Sequence, residues 1–243
     1  SVAVIDSGSA RWIGESLWRA IRARTDLPVS HVILTHVHPD HVFGASVLAE
    51  AGAEVVGHEG LPRALADREE NYLDSLDRLV GAQGMLGTEP PEVTETVADT
   101  AEIDLGARVL RLDAWPAAHT TVDLTVFDAA TGTLLAGDLL FHRHTPALDG
   151  SLRGWQAALA ELEGQGTHVV PGHGDPLLPW PEGGTALKRY LDTLARETRA
   201  AIDARFSTTM PQPNQPPTAA PATPPKTRSD ARTGRDVSAR VVA

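Results

Sequence analysis

Three imidazoles and a carboxylate fall within six residues in Thr35-His36-Val37-His38-Pro39-Asp40-His41, directly after the apolar run Val32-Ile33-Leu34. Neutral imidazole nitrogens and carboxylate oxygens at this density form a donor set for zinc, and also for iron or manganese. The chain has no cysteine, so no thiolate can join them. Beyond a strand end, residues i and i+2 point to one side. His36 and His38 can therefore share one ion, while Asp40 and His41 enter the next turn and serve another. The competing reading, a polar loop rich in histidine by composition alone, is disfavoured by the tightness of the spacing.

Three more residues sit where an apolar run meets a loop: His119 after Trp115-Pro116-Ala117-Ala118, Asp138 after Leu134-Leu135-Ala136-Gly137, and His173 after Val169-Val170-Pro171-Gly172. Singly, each reads more readily as a hydrogen-bonded loop residue than as a ligand. Asp6, in Val4-Ile5-Asp6-Ser7-Gly8, reads on its own as the opening of a turn.

Strands must deliver these residues to one edge. The pattern predicts strands at 2–6, 31–35, 54–57, 101–105, 108–114, 122–128, 133–137 and 167–170, with hairpin turns at Gly106 and Thr131-Gly132. Residues 10–24 place Ile13, Leu17 and Ile21 on one helical face, and Leu152 to Glu163 and Thr185 to Ala204 also read as helices. Residues 60–87 read as an inserted helical segment that either covers the site or packs beside it. Hairpins among interleaved strands and helices make this an α/β (α+β) chain with mixed sheets.

Composition narrows the function. A chain of 243 residues, 42% hydrophobic, can bury one substantial core or two small lobes sharing a site. The formal charge of −11, with no basic face evident, argues against a general nucleic-acid binder, and a small-molecule substrate is expected. No run of about twenty apolar residues offers a membrane span. The absence of cysteine fits either cytoplasm or periplasm.

Taken together and in order, Asp6, the His36–His41 loop, His119, Asp138 and His173 resemble the metallo-β-lactamase fold superfamily over nearly all of residues 1–204. That resemblance implies a four-layer αββα sandwich and two metal ions, zinc by preference. It makes His36, His38 and His119 ligands of the first ion and Asp40, His41 and His173 ligands of the second, with Asp138 bridging. Asp6 would orient a ligand from behind. The chemistry implied is hydrolysis by a bridging hydroxide, with Asp138 holding the ions and Asp40 also helping to move a proton. The family usually places about two strands ahead of the one at 2–6, so a truncated or processed start is expected. Residues 207–243 hold seven prolines, five Lys or Arg and two Asp without apolar periodicity. They are expected to be a disordered tail behind a hydrolase domain at 1–206.

Within the superfamily, β-lactamases either place a cysteine near the second metal or lack the bridging aspartate. Thioesterases of the glyoxalase II type share all seven ligands but append a glutathione-binding domain. The narrower group that this chain resembles is the quinoprotein relay system zinc metallohydrolases. The resemblance lies in Thr35–Gly44, Trp115–His119, Gly137–Phe141 and His144–Trp155. It implies a periplasmic setting and a functional link to quinoprotein dehydrogenases. His144, Asp149 and Arg153 become candidates for contacting substrate, and Trp155 reads as core. His31, His58, His142 and His168 read as structural. The alternatives are a glyoxalase II-like thioesterase or β-lactamase, a metal-containing carrier or assembly factor for quinone cofactor systems, and a damaged, inactive homologue.

Overall fold

Strand β1 (Val2–Ile5) is followed by helix α1 (Arg11–Arg22) and by β2 (Val29–Ile33), which pairs with β1 in parallel and sets Ile5 beside Ile33. The same strand-helix-strand unit recurs twice. Two short helices, α2 (Pro39–Val42) and α3 (Ala45–Glu50), lead to β3 (Glu54–His58), and the long α4 (Leu61–Val80) leads to β4 (Glu95–Val97). The result is a parallel sheet in the order β1-β2-β3-β4, with β1 at one edge. This computed structural model describes residues 1–209, and residues 1–202 pack as one unit.

The second sheet is mixed. Strands β5 (Thr100–Asp104), β6 (Val109–Ala114), β7 (Leu124–Asp128) and β8 (Thr133–Phe141) form an antiparallel meander. Its turns use Gly106 and Gly132, both at positive φ, as the sequence predicts. Helix α5 (Leu152–Leu162) then carries the chain over to β9 (His168–His173), parallel to β8, and β10 (Leu178–Pro179) completes the order β10-β9-β8-β7-β6-β5. Helix α6 (Thr185–Thr209) ends the described chain.

Alternation along the strands accounts for the layers. Ile33, Val56 and Val97 of the first sheet meet Ile103, Leu110, Leu112, Leu124 and Val126 of the second between the sheets. The opposite faces turn outward, Val32, Leu34 and Val55 onto Leu17, Leu48, Leu61 and Leu65 of the helices, and Leu134, Ala136 and Val169 onto Trp155, Leu159, Leu187 and Leu191. This is the four-layer αββα arrangement, and burying both faces of each sheet is what demands apolar residues on both sides of its central strands.

Several boundaries differ from the sequence reading: β2 spans Val29–Ile33 rather than 31–35, β7 begins at Leu124 rather than 122, β9 runs on to His173 rather than 170, and the inserted helix ends at Val80 rather than 87. Strand β8 does not stop at Gly137 but runs on to Phe141, because Gly137 at φ 51° lets the register slip without ending the strand. Helix α6 passes Ala204 and continues through 207–209, the expected start of the tail, since adding residues to an established helix is cheaper than nucleating one. The rest of the expected tail, 210–243, lies outside the described residues. Helix α4 packs on the first sheet through Ala64 and Leu65, and its Arg68 reaches Asp149. The inserted segment thus packs beside the site, the second of the two readings, and touches the ligand loops through Arg68.

Candidate metal centre

All the candidate ligands lie at or near the carboxyl end of a strand. Asp6 follows β1, His36 and His38 follow β2, and Asp40 and His41 ride the single turn of α2. His119 lies between β6 and β7, Asp138 within β8, and His173 ends β9. The loop presenting His119 is tied by the buried Asp123, which accepts from the Thr120 backbone N–H at 2.9 Å and from its hydroxyl at 2.8 Å. Asp6 sits at φ 59°, a left-handed backbone that aspartate tolerates better than most residues and that aims its carboxylate back across β2.

Two groups of donor atoms result: His36, His38, His119 and Asp138 in one, and Asp40, His41 and His173 in the other. Asp138 faces both. Its Oδ2 lies 3.5 Å from His36 Nε2 and 3.3 Å from His119 Nε2, and its Oδ1 lies 3.3 Å from His41 Nε2 and 3.4 Å from His173 Nε2. Asp40 Oδ2 is 3.5 Å from His41 Nε2 and 3.3 Å from His173 Nε2. Within the first group His119 Nε2 is 3.1 Å from His38 Nδ1.

The hydrogen bonds behind the rings decide what these facing atoms are. His119 Nδ1 lies 3.1 Å from the Ala147 carbonyl, which can only accept, so Nδ1 carries the proton and Nε2 presents a lone pair. His41 Nδ1 donates to Asp6 Oδ2 at 2.7 Å, which turns its Nε2 toward Asp138 and Asp40. The Thr35 hydroxyl donates to Asp6 Oδ2 at 2.9 Å and so accepts from His36 Nδ1 at 3.0 Å, leaving His36 Nε2 as a buried lone pair without a partner. Asp138 Oδ1 is likewise buried and unpartnered. In the first group, acceptor thus faces acceptor, His36 Nε2 and His119 Nε2 against the Asp138 carboxylate, an arrangement that favours a cation over a polar core. The residues present therefore fit metal ions.

A sequence profile of the Metallo-beta-lactamase superfamily matches residues 1–197. The chain belongs to that superfamily. The uncharacterized protein ML0493 of Mycobacterium leprae is 30% identical over 165 residues, covering 65% of this chain and 74% of that protein. Among solved structures, a metallo-beta-lactamase from Pontibacter korlensis superposes with TM-score 0.64 at 21% identity, over 78% of this chain and 81% of that one. A metallo-beta-lactamase family protein from Thermus thermophilus gives 0.64 at 20%, over 82% and 73%. Structural likeness at identities this low speaks to the shared fold alone.

In this superfamily member, close approach of β8 and β9 shapes the centre. A Cβ on Gly172 would collide with Asp138 Oδ1, and one on Gly137 with the Thr35 side chain. Charge separates the two groups of donors. Burial, reinforced by His41, holds His36 well below its ordinary 6.5, and burial with His119 also lowers His38. Burial opposes charging His41 as well, but Asp6, Asp40 and Asp138 outweigh it and raise the ring to about 11. Hydrogen bonds to Asp138 and Asp40 raise His173 to about 9. Both carboxylates, despite burial, are held well below the carboxylate range, Asp138 by His119 and His173, Asp40 by His173 and His41. Without metal the second group keeps protons where a cation would sit.

The structure brings the seven candidate ligands and Asp6 together. Of the three residues considered for substrate, the exposed His144 ring lies 6.1 Å from that of His173, and Asp149 lies 3.4 Å from His38 Nε2. Arg153 instead lines a cleft with Gln156, Thr198 and Arg199, between α5 and α6. Trp155 is fully buried and donates to the Leu139 carbonyl at 2.9 Å, with its ring 4.9 Å from that of His119. His142 does more than its sequence suggests: its backbone N–H donates to the His173 carbonyl at 2.9 Å, beside the second group. His31 faces Glu54, His58 accepts from Gly60, and His168 lies beside Thr167. Sequence reasoning missed Thr35, although its place before His36 was a signal, and the Ala147 carbonyl, which left none.

Proposed function

We propose that the chain is a dinuclear metallohydrolase that cleaves an ester, thioester, lactone or amide-like bond of a small molecule. The observation that carries this reading is Asp138, whose two oxygens divide between the two groups of histidines. A nitrogen and oxygen donor set favours zinc, with iron or manganese as the other fits. Two such ions, when bound, supply a lowered water pKa and polarisation of the scissile carbonyl. His36, His38 and His119 would hold one, Asp40, His41 and His173 the other, with Asp138 shared.

The remaining work belongs to the chain. Asp6 and Thr35 keep the outer ring protons in place, so that lone pairs point inward. Asp40 has a side chain 47% exposed and so meets the cleft, where the carboxylate oxygen not turned to His41 and His173 can take a proton and return it to a leaving group. The His144–Trp155 run supports the narrower likeness to quinoprotein relay zinc metallohydrolases, and with it a periplasmic setting and a tie to quinoprotein dehydrogenases. The test is metal analysis of protein purified without chelator, together with turnover on a panel of esters, thioesters, lactones and β-lactams. Two ions and metal-dependent turnover on one class are expected. Fewer than two ions under zinc excess would sink the dinuclear reading, and two ions without turnover would leave a carrier.

A further inference from the structure

We propose that Asp149 and Arg68 are positioning residues for His38, linking α4 to the first metal site. The inference rests on the metallohydrolase reading of that site. His36, His41 and His119 each have the nitrogen that faces away from the centre held by a neighbour: Thr35, Asp6 and the Ala147 carbonyl. His38 enters with the opposite orientation. Its Nδ1 points into the centre, 3.1 Å from His119 Nε2, while Asp149 Oδ2, which can only accept, stands 3.4 Å from its Nε2; with Nδ1 as the ligating atom, Nε2 carries the proton and faces that carboxylate. A carboxylate on the far nitrogen of a ligating histidine fixes its tautomer and raises its basicity.

Asp149 is in turn held from two sides. Its backbone N–H donates to the His119 carbonyl at 2.9 Å, pinning it to the neighbouring ligand. Its Oδ2 also meets Arg68 Nη2 at 3.4 Å, across 81 residues of sequence. Arg68 keeps 30% of its side chain exposed and Asp149 40%, so the chain of contacts runs along the rim of the centre. Arg68 lowers the freedom of Asp149 and acts on His38 only through it.

Chelator-competition titration with zinc reads this directly, together with the visible spectrum of the cobalt(II)-loaded protein. Asp149→Ala should weaken the first ion by about 10- to 100-fold and alter the cobalt spectrum. Asp149→Asn, which still offers an acceptor oxygen, should lose less. Arg68→Ala should weaken binding in the wild-type background and add nothing to Asp149→Ala, because its effect passes through that carboxylate. Metal-free melting temperatures should stay close to wild type, separating positioning from folding. Wild-type affinity in both Asp149 variants would overturn the proposal and leave the hydrolase reading intact. An Arg68→Ala loss of equal size with and without Asp149 would overturn the relay. A wild-type protein that binds no cation would overturn both readings together.

Discussion

Replacing Asp6 by asparagine changes one atom and should disturb both halves of the centre. Asp6 Oδ1 accepts from the Thr35 backbone N–H at 2.8 Å, while Oδ2 accepts from the Thr35 hydroxyl at 2.9 Å and from His41 Nδ1 at 2.7 Å. An amide has one acceptor end and one donor end. With its oxygen at the Oδ2 position, its NH2 meets the Thr35 N–H; reversed, its NH2 meets the hydroxyl and the imidazole. One or two hydrogen bonds to a charged acceptor are lost either way, at about 1.5–3 kcal/mol each. Part of that loss appears as global stability and part as ligand orientation, so about 10- to 100-fold in metal affinity is expected, as is typical for outer partners. Both ions should be affected, because Asp6 holds His41 directly and His36 through Thr35. Zinc affinities by chelator competition measure the loss, and long-range nitrogen NMR of the zinc-loaded protein reads the two ring tautomers. Unchanged tautomers, or a loss confined to one ion, would refute the wiring.

Asp138→Ala should abolish turnover and the second ion, whereas His31→Ala, at the far end of β2 beside Glu54, should leave metal content and rate near wild type; equal losses would mean the ligand set is wrong. The metal-free protein should be most stable near pH 6.5. Above that value the raised rings of His173 and His41 lose their contribution as pH climbs through about 9 and about 11, and below it the depressed His36 and His38 lose theirs, followed under about 3.8 by Asp40 and Asp138. Thermal melts across about pH 3–10, with and without zinc, check this, and a metal-free optimum above about pH 8 would contradict it. Ser151→Ala removes the side-chain acceptor of the Gly154 N–H at the start of α5, 3.1 Å away, and should cost about 0.5–2 kcal/mol, visible as a lowered Tm.

The strands and the ligand loop were legible because their signals are local. An apolar run has a period, and His36 through His41 carry their spacing with them. The short helices α2 and α3 and the three-residue β4 fall below the length at which periodicity shows, so only the structure supplies them. Arg153 and Asp149 lie four residues apart and diverge for a reason of phase. Ser151 caps α5, so Arg153 is already helical and faces α6, while Asp149 remains in the loop beside His119. The reach of Arg68 to Asp149 depends on where a whole helix packs, and no local pattern near either residue encodes it.

Gly172 carries the centre's demands beyond its ligands. Any side chain there would take the space of Asp138 Oδ1, and the nearby backbone of Gly137 and Asp138 leaves no direction in which to yield. A single codon change at a residue with no side chain to donate, accept or bind should therefore silence the site as fully as loss of a ligand. Selection acting on the chemistry would be felt at an amino acid defined only by what it lacks, and a mutational scan should record that position as intolerant as the aspartate it shelters.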